Sequence, residues 1–167
     1  AKDTQTIKVC RTLFSKAKTP EEILAIPQTE LEAIIKPIGL YKNKAKTLRH
    51  VSSVILKKYN SVVPAEEKEL LSIKGVGKKT ANLILGLVFK DPKICVDTHV
   101  HRISNRLGIV ETKTVEETEK ELEKKIPKKY WIEWNKLLVI WGQNICTPQT
   151  TKCSRCALRN LCKHGSL

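Results

Sequence analysis

The sequence predicts an all-α protein. Three observations carry this: no stretch of the 167 residues sustains period-two alternation, Thr stands three residues before Glu at three expected helix starts, and Pro and Gly cut the chain into helix-length pieces. A first helix is expected near 3–17. Thr19-Pro20-Glu21-Glu22 opens a second over 20–26, closed by Pro27, and Thr29-Glu30-Leu31-Glu32 opens a third over 30–35, closed by Pro37-Ile38-Gly39. Helices over 42–59 and 65–72 flank Pro64, and one over 78–89 lies between Gly75 and Pro92. One over 98–107 ends at Gly108, Thr114-Val115-Glu116-Glu117 opens 115–125, and the last, 129–145, comes after Pro127. On that last helix Trp131, Trp134, Leu138 and Trp141 fall on one face, a spacing that reads as core packing.

Composition narrows the class. With 41% hydrophobic residues, 7 Gly and 7 Pro the chain can bury a core, and it has no apolar run near the roughly 18 residues needed to span a bilayer. The 31 basic and 17 acidic side chains leave a formal charge of +14, the sign that condenses onto a polyphosphate. That charge is concentrated at the ends: residues 1–64 carry 12 basic and 5 acidic groups, 111–145 carry 7 of each, and 146–167 carry 4 basic and no acidic ones. A lysine-rich thermophilic surface would give a similar count. Only eight aromatics are present, too few and too scattered for the stacking platforms of single-strand or RNA binders, so duplex DNA is the better polyanion. The chain starts at Ala1 and contains no Met, which reads as a processed or truncated chain. No signal segment is visible, and an intracellular, reducing setting makes the six Cys ligands or buried thiols before disulfides.

Gly75-Val76-Gly77-Lys78-Lys79-Thr80-Ala81-Asn82 joins two helical patterns with no room for a strand, a tight helix-hairpin-helix. Its glycines let backbone approach a ligand, and the helix start beyond them suits a phosphate. Lys78 and Lys79 stand where the helix dipole disfavours a cation, so stability did not place them. One is a phosphate contact or a nucleophile, and these grounds do not choose between them. Asp97 sits at the N-cap position of the 98–107 helix, where it can cap the helix and still face a cleft. His99 and His101 lie two apart, wrong for a shared metal and suited to packing or phosphate contact.

Cys146, Cys153, Cys156 and Cys162 form C-x6-C-x2-C-x5-C, a spacing that asks for one tetrahedral metal or one cubane cluster, with zinc the default from arithmetic and two disulfides a minor option. Lys152, Arg155, Arg159 and Lys163 interleave with these cysteines and no acid does, so the metal would shape a basic loop. Cys10 and Cys95 read as buried thiols.

Taken in order, the glycine hairpin, Val96-Asp97-Thr98-His99 and the cysteine spacing closely resemble the endonuclease III family of helix-hairpin-helix DNA glycosylases, across essentially the whole chain. The resemblance implies a six-helix barrel carrying the hairpin (1–91), a smaller iron–sulfur helical domain (92–167), and a cleft between them. It implies Lys79, which precedes Thr-Ala-Asn, and Asp97 as catalytic residues, and a [4Fe-4S] cluster on Cys146, Cys153, Cys156 and Cys162. Leu40 becomes the wedge that fills the gap left by a flipped nucleotide, where the residues alone suggest a core leucine; Gly75, Val76, Gly77, Lys78, Lys152 and Arg155 become DNA contacts. The activity implied is base-excision repair of oxidised pyrimidines such as thymine glycol, with AP lyase cleavage, by a monomer on damaged double-stranded DNA. The compartment would be cytoplasm and nucleoid in a prokaryote or nucleus in a eukaryote. Alternatives are a monofunctional mismatch or adenine glycosylase and a non-catalytic duplex-binding module. Two departures stand out: the family's helices before the position of Ala1 are absent, and Ile73-Lys74 replaces Leu-Pro.

Overall fold

The computed structural model describes residues 3–165, and the all-α expectation is borne out. Among these residues the regular elements are nine α-helices: α1 (Asp3–Lys16), α2 (Pro20–Ala25), α3 (Gln28–Ile35), α4 (Tyr41–Tyr59), α5 (Glu67–Ser72), α6 (Lys78–Leu87), α7 (Thr98–Leu107), α8 (Val115–Lys125) and α9 (Trp131–Asn144). Short 3-10 turns fill Lys36–Ile38, Lys128–Tyr130, Cys153–Arg155 and Arg159–Leu161.

Local chemistry sets the boundaries. Thr19 accepts from Glu22 N at 3.2 Å while Glu22 accepts from Thr19 N at 3.2 Å, a complete capping box. Thr114 accepts from Glu117 N, but Glu117 reaches one residue further back, to Lys113 N at 2.8 Å. The box expected at Thr29 does not form: α3 starts directly after Pro27, placing Thr29 inside the helix, and Glu32 instead takes the Gln28 side-chain amide at 2.7 Å.

The chain divides into two compact units, residues 1–77 and 78–167. In the first, Val9, Leu13, Ile23, Leu31, Ile35 and Ala45 build a core from α1 to α4, and Arg49 of α4 ties to the Ile26 carbonyl at 2.6 Å. In the second, Ile94, Val96, Val100, Ile103, Val110, Leu122 and Leu138 form the core, and the expected stripe of Trp131, Trp134 and Trp141 packs against it. Helices α7 and α9 approach so closely that a Cβ on Gly142 would overlap the His99 ring. The division precedes the Asp91-Pro92 junction suggested by the sequence because α6 packs with the C-terminal helices. Asn82 donates to the Ile94 carbonyl at 3.0 Å, and Gly86 lies against Ile132 of α9. Lys79 and Asp97 therefore share one unit.

Candidate active site

The hairpin is built around one obligatory glycine. Gly75 has φ +100°, and a Cβ there would overlap Thr47 Cγ2, so both backbone and packing exclude a side chain. Val76 N then closes on the Ile73 carbonyl at 2.9 Å. Gly77 differs: its φ is not positive, and a Cβ would meet nothing within 4 Å. Helix α6 starts at once, with Lys78 and Lys79 in its first turn.

The two adjacent lysines face different carboxylates. Lys79 Nζ lies 3.6 Å from Asp97 Oδ2, the lysine side chain 53% exposed and the aspartate 12%. Lys78 Nζ lies 2.8 Å from Oε1 of Glu119, a buried residue of α8 whose side chain is 9% exposed. Asp97 caps α7 with one carboxylate oxygen and faces Lys79 with the other. Its extended backbone (φ −114°, ψ −174°) makes it the N-cap of α7, and Oδ1 accepts from His99 N and Val100 N at 2.9 Å each, leaving Oδ2 to the lysine.

The segment leading to Asp97 is fixed from two sides. Asn82 of α6 donates to the Ile94 carbonyl, and Asn135 of α9 donates to the Cys95 carbonyl at 3.1 Å. Between them the Cys95 thiol is buried, 3.7 Å from the Lys79 carbonyl. Burial pushes that thiol up to about 11; Lys79 opposes the rise, while Asp97 and Glu119 add to it. The sulfur is thus a neutral neighbour of the Lys79–Asp97 pair. Cys10, also expected to be buried, is partly exposed. His101 Nδ1 meets Thr118 Oγ1 at 2.6 Å and His99 Nδ1 meets Arg102 Nη2 at 3.2 Å, so both histidines are occupied in packing.

Leu40 is no core leucine. It comes after the 3-10 turn at Lys36–Ile38, takes a left-handed conformation (φ 51°, ψ 27°) as the N-cap of α4, and is 78% exposed. In the tail, Cys146, Cys153, Cys156 and Cys162 form no disulfide and line one hollow with Arg106, Trp141 and Lys152. Arg106 of α7 donates to Cys146 Sγ at 3.4 Å and to the Thr147 carbonyl at 2.7 Å. Arg102 reaches the Cys146 carbonyl at 2.9 Å, and burial together with the neighbouring Arg106 charge lowers its guanidinium below the ordinary value. Among the described residues no three His, Cys, Asp or Glu form a ready-made metal-ion site. Lys152 and Arg155 are exposed.

A profile of the HhH-GPD superfamily of base excision DNA repair proteins matches residues 1–128. Endonuclease III of Bacillus subtilis (strain 168) is 45% identical over 159 residues, covering 95% of this chain and 73% of the relative. Endonuclease III of Thermotoga maritima is 43% identical over 162 residues, covering 97% and 76%. A trapped endonuclease III–DNA covalent intermediate superposes with a TM-score of 0.90 at 41% identity, covering 98% of this chain and 78% of that one. This chain belongs to the endonuclease III family.

Several residues of this endonuclease III site escape sequence reasoning. Glu119 lies among the many acids of a solvated-looking helix, Asn135 inside a tryptophan stripe, and Arg106 is 40 residues from the cysteine it touches. Only Asn82 carried a sequence signal, as the last residue of the hairpin motif.

Proposed function

We propose that this endonuclease III chain removes an oxidised pyrimidine from duplex DNA and nicks the strand through a Schiff base on Lys79. Its class, a base-excision DNA glycosylase and AP lyase, comes from the family. The observation supporting the residue roles is the Lys79–Asp97 pair at 3.6 Å, with the second carboxylate oxygen anchored on α7. Asp97 Oδ2 helps to take a proton from the Lys79 ammonium and faces the positive charge that develops on the sugar. The amine then bonds to C1′ as the base leaves with its bonding electrons and gains a proton. Ring opening gives the Schiff base, and loss of a C2′ proton expels the 3′ phosphate.

Gly77 fits backbone contact with a phosphate, since nothing in the chain itself requires a glycine there. We assign Gly75, Val76, Lys78, Lys152 and Arg155 to the same duplex and Leu40 to the gap left by the flipped nucleotide. The duplex is bound by a monomer, inside the cell where the genome lies.

The endonuclease III family is known for a [4Fe-4S] cluster, and we assign its ligands to Cys146, Cys153, Cys156 and Cys162. Four cysteines outside any disulfide on one hollow, with a guanidinium against one sulfur, suit the negative charge of a thiolate-bound cluster, and a mononuclear zinc would draw its sulfurs closer together. When bound, the cluster crosslinks the tail. Arg106 and Arg102 hold the first cysteine from α7, and Lys152 and Arg155 are carried on the loop between ligands.

The test is borohydride reduction during reaction with a thymine-glycol duplex. The wild-type chain should become covalently attached to DNA and Lys79→Gln should not; trapping by Lys79→Gln refutes the assignment. Base release without nicking would make the enzyme monofunctional, and binding without release would make it a recognition module.

A further inference from the structure

Helix α4 carries Lys42, Lys44, Lys46, Arg49, His50, Lys57 and Lys58 and no acidic residue. Some of these are spoken for within the fold: Lys44 donates to the Ile38 carbonyl at 2.6 Å, Arg49 to the Ile26 carbonyl, and Lys58 lies over the Tyr59 ring. Lys46 and His50 are not. They stand one turn apart on the same helix face, and with Thr47 and Lys74 they line a hollow of about 290 Å³. Among the described residues no carboxylate pairs with Lys46, His50 or Lys74, and none of the three side chains is hydrogen-bonded. Stacking basic groups at i, i+4 and adding a third from the hairpin approach works against folding, so the arrangement calls for an anion.

The hollow is joined rigidly to the hairpin. Thr47 is the residue on which Gly75 packs, so Lys74 is held against α4 by the contact that forbids a side chain at position 75. We propose that Lys46, Thr47, His50 and Lys74 form a phosphate subsite that takes a phosphodiester of the duplex backbone. It lies on the helix that Leu40 caps and is separate from the backbone amides of the glycine turn. Two ammonium groups neutralise the phosphate, and the Thr47 hydroxyl and the His50 ring N–H add directed donors. The inference rests on the proposed action on duplex DNA.

The test is the salt dependence of binding, by the full chain, to an undamaged duplex and to one bearing a reduced abasic site. Removing one phosphate contact should make the slope of log Kobs against log salt shallower by about 0.9. Lys46→Gln/Lys74→Gln should show that change and bind on the order of tenfold more weakly near 0.1 M salt. Lys57→Gln/Lys58→Gln, the same charge change at the far end of α4, should keep the wild-type slope. An unchanged slope in the first pair, or equal changes in both, would overturn the subsite. Inorganic phosphate that weakens duplex binding at constant ionic strength in wild type but not in the first pair would support the subsite. Failure of the wild type itself to release base would sink the proposed activity and leave the slope comparison intact.

Discussion

Asp97 divides its two oxygens between the cap of α7 and Lys79, and substitution can separate the cap from the proposed chemistry. Oδ1 caps α7 through two amides at 2.9 Å, and Oδ2 faces Lys79 at 3.6 Å. Asp97→Ala removes both. Loss of an N-cap costs about 0.5–2 kcal/mol, to which loss of a carboxylate from the positive end of the helix dipole adds about 0.3–1 kcal/mol. The sum is about 0.8–3 kcal/mol, and at roughly 2–4 °C per kcal/mol for a chain of this size Tm should fall by about 2–12 °C. Asp97→Asn and Asp97→Ser keep an oxygen at the cap and lose only the charge, so their Tm should fall by about 1–4 °C. Activity should sort differently. All three variants lack the carboxylate opposite Lys79 and should lose about 10²–10⁴-fold in single-turnover base release, with duplex affinity changed far less. Thermal melts, filter binding and rapid-quench assays on the same preparations decide the matter. Equal destabilisation by alanine, asparagine and serine would refute the cap, and an Asp97→Asn enzyme within about tenfold of wild type in rate would refute the chemical role.

Glu119→Gln leaves Lys78 without its buried counter-charge; because the lysine end is half exposed, the cost should be about 1 kcal/mol, seen as a Tm drop of about 2–4 °C. Gly142→Ala pushes a methyl into the His99 ring and should cost about 1–3 kcal/mol, measurable by urea denaturation. The Cys95 thiol, raised to about 11 from a usual value near 9, is protonated in the folded chain where the unfolded chain ionises. It therefore contributes stability in full below about pH 9 and loses it as pH rises toward 11, an effect on the order of 2–3 kcal/mol. Cys95→Ala should flatten the pH dependence of Tm in that window, and identical slopes for variant and wild type would show that the thiol does not ionise differently on unfolding.

The helices were legible because their starts and stops are local. Thr19, Thr114, Gly108 and the prolines act within one turn, and each delimits an element close to where the sequence places it. Thr29 misleads because Pro27 starts α3 ahead of it. In the site, Lys79 and Asp97 could be named from motifs, whereas their separation from Lys78 and Glu119 could not, since it depends on which carboxylate α8 delivers to which lysine. Leu40 shows the reverse. Its residue type points inward and its backbone turns it outward, a decision made by the Pro37-Ile38-Gly39 turn before it. The placement of Asn82 and Asn135 on successive carbonyls before Asp97 is tertiary throughout, and no spacing announces it.

The left-handed backbone at Leu40 has a consequence of its own. A leucine pays roughly 1–2 kcal/mol to hold that conformation, and here the free chain already holds it, with the isobutyl group displayed to solvent. In the wedge role proposed for Leu40, the bend is thus in place before any encounter, and that role requires no reshaping of this corner. Glycine at position 40 would relax the corner and steady the fold while removing the proposed wedge, so durability and that proposed role pull in opposite directions at a single residue.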